Sequence, residues 1–129
     1  IYIGHADGLA GAISGRKNLQ GWAAVNDITV RNDNIEQALA GFDANGFADM
    51  PVQLLSRGQR RRLALARLLL APSPSIWLLD EPNTGLDQDS QTRLETAIAA
   101  HLSADGAVIA ATHSEMASSS AKIHLSLDL

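Results

Sequence analysis

Ile76-Trp77-Leu78-Leu79, an unbroken apolar run entered from a Pro/Ser turn and stopped by Asp80-Glu81-Pro82, constrains this chain more than any other stretch. Consecutive apolar residues between turn signals read as a strand buried on both faces of a parallel sheet, because a strand with one wetted face would alternate. A second run, Ala107-Val108-Ile109-Ala110-Ala111-Thr112, is another short apolar strand and ends on His113. Between them, residues 88–102 have the spacing of an amphipathic helix, with Gly106 marking its end. The opening Ile1-Tyr2-Ile3 is a third apolar strand. The chain therefore reads as α/β with a parallel sheet.

Open α/β sheets collect their ligands at the carboxyl ends of the strands, where Asp80 and Glu81 stand. An Asp there can hold Mg²⁺ through its water shell, and the next carboxylate can orient or deprotonate an attacking water. A strand running out into solvent is the other reading of the same two acids. His113 falls on the same sheet edge, either as a polar strand end or as an imidazole within reach of one phosphate.

Leu55-Ser56-Arg57-Gly58-Gln59 opens a helical run over residues 59–70. Ser56 is a good N-cap, and Gln59 three residues on completes a Ser-x-x-Gln capping box. The first N–H groups of such a helix carry the positive end of its dipole, and Gly58 has no side chain to keep an anion away. An ordinary capped core helix fits the same box. Leu63, Leu65, Ala66, Leu69 and Leu70 form its apolar face before Pro72 and Pro74 end it. Arg60, Arg61 and Arg62 read as a solvated run or one paired with nearby acids.

Taken in order, these residues resemble the ATP-binding cassette (ABC) ATPases. Residues 55–59 look like the family's signature motif, residues 76–81 like Walker B with its catalytic glutamate, Thr84-Gly85-Leu86-Asp87 like the D-loop, and His113 like the switch histidine. The resemblance implies an α/β, partial P-loop NTPase core carrying an inserted helical subdomain, with ATP and Mg²⁺ as cofactors. By it, Asp80 would position the metal and Glu81 would act on water. His113 would stabilise the transferring phosphoryl group. Ser56, Gly58 and Gln59 would face nucleotide held by a second ATPase subunit in a homodimer, and Asp87 would link the two sites. Within the superfamily the chain is most similar to the ATPase subunits of haem exporters in cytochrome c maturation, on Tyr2-Ile3-Gly4-His5 with Gly8 and on residues 60–69. That places it at the cytoplasmic face of the inner membrane, peripheral, beside integral membrane transporter subunits. His5 stands where most such ATPases have a glutamine, at the hinge between nucleotide and membrane subunit, and reads equally as a metal-contacting residue of the nucleotide site or a surface-loop histidine.

One family element is absent from these 129 residues: no Gly-x-x-x-x-Gly-Lys-Ser/Thr occurs, and neither Lys17 nor Lys122 follows a glycine. The chain is expected to be the carboxyl-terminal part of an ATPase, inactive by itself. Residues 1–3, 76–80 and 108–112 are expected to form a contiguous parallel set. Residues 123–127, a last strand separated from that set by the missing phosphate-loop strand, are expected to shift, fray or pair with another chain.

Composition narrows the classes further. A net charge of −4 argues against nucleic acid as a partner. The absence of cysteine excludes disulfides and thiolate metal sites. Residues 1–5 and 71–129 read as the partial ATPase core and residues 6–70 as the helical signature subdomain, with helices over 12–25 and 34–41. Trp77 reads as core; Trp22 reads as core or as part of a docking groove. Two other functions remain open: a soluble, non-transport ABC ATPase of DNA repair or translation, and a non-catalytic ABC-like binding module. Coiled-coil or paired cassettes would mark the former, and the missing phosphate loop favours the latter.

Overall fold

Strands β1 (Tyr2–Ile3), β2 (Ile76–Asp80) and β3 (Ala107–Ala111) form one parallel sheet in the order β1-β2-β3, in a computed structural model that describes residues 1–113. This is the contiguous set expected from the three apolar runs. The strand expected over residues 123–127 lies outside the described residues.

The pleat separates the two faces of the sheet. Trp77 and Leu79 are buried, at 2% exposure each. Ile76 and Leu78 point the other way and stay open, and Leu78 lies in register between Tyr2 and Ile109, which are 63% and 64% exposed. The expectation of burial on both faces is thus corrected. Helix α4 (Gln88–Ser103) covers the Trp77 face, whereas among the described residues nothing shields the Tyr2–Leu78–Ile109 row. An apolar run records what a strand can bury, not whether a cover is supplied.

Helices α1 (Gly15–Val25), α2 (Asn32–Gly41) and α3 (Arg57–Ala66) form a layer between β1 and β2 in the chain. Helix α1 starts at its own cap, with Ser14 Oγ accepting from the Lys17 N–H at 3.3 Å, so residues 12–14 are not helical as expected. At α2 the Arg31 N–H donates to the Asn34 side chain at 2.9 Å, which starts the helix two residues earlier than expected. Helix α3 begins directly after Ser56 and tightens into a 3₁₀ turn over Arg67–Leu70, just before Pro72 forbids further helix. Asn18 is buried and exchanges hydrogen bonds with Ala10 (2.8 and 3.0 Å), holding the loop before α1 against the helix.

One contiguous core joins this layer to the sheet: Leu19, Leu39, Phe42, Leu63 and Leu65 belong to the same apolar cluster as Ile3, Trp77, Leu79 and Leu94. Helix α4 (Gln88–Ser103) contributes Leu94, Ala97, Ile98 and His101. The His101 ring stacks on Trp77 at 3.9 Å between centroids and 8° between planes, and its Nε2 lies 2.8 Å from the Ser75 carbonyl oxygen. This pair locks the end of α4 onto the start of β2. Gly106 follows the helix as expected, but for a different reason. The left-handed residue that turns the chain is Asp105 (φ 59°), while a Cβ on Gly106 would lie 2.3 Å from His101 Nε2. Glycine is required there for close approach, not for a left-handed cap.

Candidate active site

The start of α3 is built as its sequence dictates. Ser56 Oγ accepts from the Gln59 N–H at 3.2 Å, and the Gln59 Oε1 accepts from the Ser56 N–H at 2.8 Å. The Ser56 and Gln59 side chains of the signature-like motif are therefore engaged in folding their own helix, at an exposed end of it. Gly58 packs against the turn after β2: a Cβ there would stand 3.3 Å from the Gly85 carbonyl oxygen, and one on Gly85 (φ +79°) would stand 3.5 Å from Arg57 Nε. The motif of residues 55–59 and the turn of residues 84–87 are thus direct neighbours within one chain. Asp87 closes that turn by capping α4, its Oδ1 accepting from the Ser90 N–H at 2.9 Å. Hydrogen bonds from Ser90 hold the Asp87 carboxyl below its usual range.

At the carboxyl edge of the sheet β2 delivers Asp80 and then Glu81. Glu81 is not the next residue of a straight strand: its φ is +46°, a left-handed conformation that costs an L-residue about 1–2 kcal/mol. Three backbone hydrogen bonds hold it there. Its N–H donates to the Ala111 carbonyl at 2.8 Å, and its carbonyl accepts from the Thr84 N–H at 3.1 Å and from Arg61 Nη2 at 3.0 Å. The turn directs the Glu81 carboxylate toward the end of β3, where His113 Nε2 lies 3.5 Å from Glu81 Oε1 with its side chain fully exposed. The sheet edge therefore brings Asp80, Glu81 and His113 together, as their strand-end positions led one to expect.

His5 is exposed just beyond β1. The segment around it is fixed from below by two arginines, Arg61, which was expected to be solvated or paired with nearby acids, and Arg67. Arg61 is 3% exposed and Arg67 7%. Arg61 Nη1 donates to the Gly4 carbonyl (2.8 Å) and to Asp7 Oδ1 (3.1 Å), while Arg67 donates to the carbonyls of Asp7 (2.9 Å) and Gly8 (2.8 Å). Burial lowers the pKa of the Arg67 guanidinium, and Asp7 opposes this. In the run 60–62, Arg62 pairs with Asp43 at 3.1 Å and lies 4.9 Å from the Phe47 ring centre, Arg61 pairs with Asp7 but is buried rather than solvated, and Arg60 donates to the Leu55 carbonyl at 2.9 Å. No local signal marks Arg61 as buried, because its acceptors at Gly4, Asp7, Asp80 and Glu81 lie far along the chain.

A groove of about 340 Å³ opens beside this segment, lined by Gly8, Ile13, Lys17, Trp22, Val25 and Arg67. Trp22 is partly buried there, both packed against the core and facing the groove. Among the described residues no group of three or more His, Asp or Glu is placed to hold a metal ion, and no helix is long and apolar enough to cross a membrane.

A parallel sheet with a left-handed acidic turn at its carboxyl edge, facing a strand-end histidine and a capped glycine-containing helix start, defines a nucleotide-binding cassette. The chain belongs to the ABC transporter family, whose sequence pattern matches residues 2–84. It is 43% identical over 122 residues to the cytochrome c biogenesis ATP-binding export protein CcmA of Rhodobacter capsulatus, an alignment covering 95% of this chain and 55% of that protein. It is 40% identical to the protein of the same name from Paracoccus denitrificans, covering 95% and 56%. The chain thus spans about half the length of the curated relatives it matches. Among solved structures it resembles the dimeric ATP-binding cassette MJ0796 bound to ADP and Pi, with a TM-score of 0.76 at 22% identity over 88% of this chain and 51% of that one. That likeness is one of fold.

Proposed function

We propose that this chain forms part of the ATP-binding and hydrolysing subunit of an ABC-type exporter serving cytochrome c biogenesis, with haem export as its transport role. The observation that carries the reading is the juxtaposition of Asp80, Glu81 and His113 at one sheet edge, in a chain 43% identical to a cytochrome c biogenesis ATP-binding export protein.

The donor chemistry fits the expected cofactors in part. Asp80 offers a hard carboxylate oxygen at the strand end, the ligand type Mg²⁺ takes. The phosphate-cradling loop is not among these residues. Bound Mg²⁺–ATP supplies an electrophilic γ-phosphoryl group. Glu81, its backbone held at three points, accepts a hydrogen bond or proton from water and fixes the direction of attack. His113 presents Nε2 beside Glu81, where it can donate to an oxygen gaining negative charge. Asp80 would help hold Mg²⁺. The start of α3, with Ser56, Gly58 and Gln59, offers a positive dipole end to nucleotide on a second subunit, and Asp87 in the adjoining turn links the two sites. His5, exposed just beyond β1, is a further candidate for the nucleotide site. In this reading residues 1–5 and 71–129 belong to the ATPase core, residues 6–70 to the helical subdomain that meets integral membrane subunits, and the whole lies at the cytoplasmic face of the inner membrane.

The test is purification of the full-length gene product from its own membranes, with ATP turnover assayed on the material obtained. Turnover in a complex with an integral membrane protein is the expected result. Turnover by a protein that never associates with membrane subunits would favour a soluble ABC ATPase, and nucleotide binding without turnover a non-catalytic module.

A further inference from the structure

We propose that Arg61 is a positioning residue that ties the conformation of residues 4–7 to the orientation of the Glu81 carboxylate, an inference that rests on the role given to Glu81 above. The first ground is the cost of putting Arg61 where it is. A buried guanidinium is unfavourable unless its donors are satisfied and its charge paired. At 3% exposure, Arg61 meets that requirement through its two terminal nitrogens, whose acceptors come from distant parts of the chain, while its Nε has no partner among the described residues. Nη1 takes Gly4 O and Asp7 Oδ1, at the end of β1 and the loop beyond it; Nη2 takes Asp80 O (3.3 Å) and Glu81 O (3.0 Å), at the end of β2.

The second ground is the fork itself. A guanidinium is planar and rigid, so its two terminal nitrogens cannot move independently. A displacement of Gly4 O or Asp7 that carries Nη1 with it also moves Nη2, and with it the donor to Glu81 O.

The third ground is the strain at the receiving end. Glu81 is held in a left-handed conformation by three hydrogen bonds, one of them from Arg61. In that conformation the direction of Cα–Cβ follows directly from the backbone, so a shift of residue 81 carries its carboxylate relative to His113. Loss of the Arg61 bond leaves the Thr84 and Ala111 bonds to hold residue 81 and lets it relax from its left-handed position.

The test uses the full-length gene product carrying Arg61→Lys or Arg61→Met, with Arg62→Lys and Glu81→Gln as references. Lysine keeps the charge but has one compact ammonium that cannot bridge both strand ends. The expected result for Arg61→Lys is a fall in kcat of about 10–100-fold with the KM for ATP within about twofold, because misplacing a reacting group by about 1 Å costs that much while binding is untouched. In nucleotide-free protein, amide hydrogen exchange is expected to rise together at residues 4–7 and 81–84, and to stay unchanged in Arg62→Lys. The proposal is overturned if folded Arg61→Lys keeps its kcat within about twofold, if exchange rises in one segment only, or if neither Arg61 variant folds and the residue proves merely structural. Should Arg61→Met alone fail to fold, Arg61→Lys decides. Turnover retained in Glu81→Gln would instead sink the role of Glu81, leaving the exchange data to judge the Arg61 tie by itself.

Discussion

Replacing Gly106 with alanine should destabilise the protein through a single clash whose size can be worked out. The added Cβ would stand 2.3, 2.4 and 2.5 Å from Nε2, Cε1 and Cδ2 of His101, about an ångström inside the ~3.5 Å of ordinary contact. The ring cannot yield freely, since one side stacks on Trp77 at 3.9 Å and Nε2 is bonded to the Ser75 carbonyl at 2.8 Å. Moving it forfeits a hydrogen bond worth about 0.5–1.5 kcal/mol and a stacking contact worth about 0.5–1.5 kcal/mol. Keeping it in place strains the packing by about 1–3 kcal/mol. The expected loss, from whichever compromise the chain adopts, is about 1–3 kcal/mol. Urea unfolding of the full-length gene product, followed by tryptophan fluorescence, measures it. In a His101→Ala background the same glycine change should cost at least about 1 kcal/mol less, because the obstructing ring has gone. A Gly106→Ala protein within about 0.5 kcal/mol of the parent, or equal costs in both backgrounds, would refute the reasoning.

Other outcomes follow from local geometry. Ser56→Ala removes the acceptor for the Gln59 N–H and should cost about 1 kcal/mol in urea unfolding, while Ser56→Asp, another good cap, should retain most of that. Stability should also fall on acidification: the hydrogen bond from Arg16 holds the Asp49 carboxyl below its usual range, and those from Ser90 do the same for Asp87. A carboxyl whose folded pKa is depressed adds stability above its unfolded value of about 4, and that stability is lost as pH falls through the lower folded value. Urea midpoints at several pH values should therefore drop below about pH 4, and Asp49→Asn should flatten part of the dependence; a midpoint unchanged across that range would contradict the assignment.

The elements that sequence made legible were those fixed by neighbours along the chain. The Ser56–Gln59 box needs only four residues, so its two hydrogen bonds were predictable to the atom. The apolar runs located all three strands of the described sheet, and their ends put Asp80, Glu81 and His113 on one edge. What was not legible depends on partners far along the chain. Three consecutive arginines give no local sign that the middle one is buried, since its acceptors lie 57, 54, 19 and 20 residues away. The left-handed turn at Glu81 was hidden because glutamate is a poor choice for it; tertiary hydrogen bonds impose what local preference resists. The open row Tyr2–Leu78–Ile109 was missed because an apolar run carries no record of which faces are covered.

The central claim is that Glu81, turned out at the carboxyl edge of the sheet, is the carboxylate that acts on water. Steady-state ATP turnover of the full-length gene product carrying Glu81→Gln, measured beside its ATP affinity, tests it most directly. The account predicts a loss of turnover of about a hundredfold or more with affinity within about threefold, as expected when a general base is removed and binding is spared. Turnover within about threefold of the parent would contradict it.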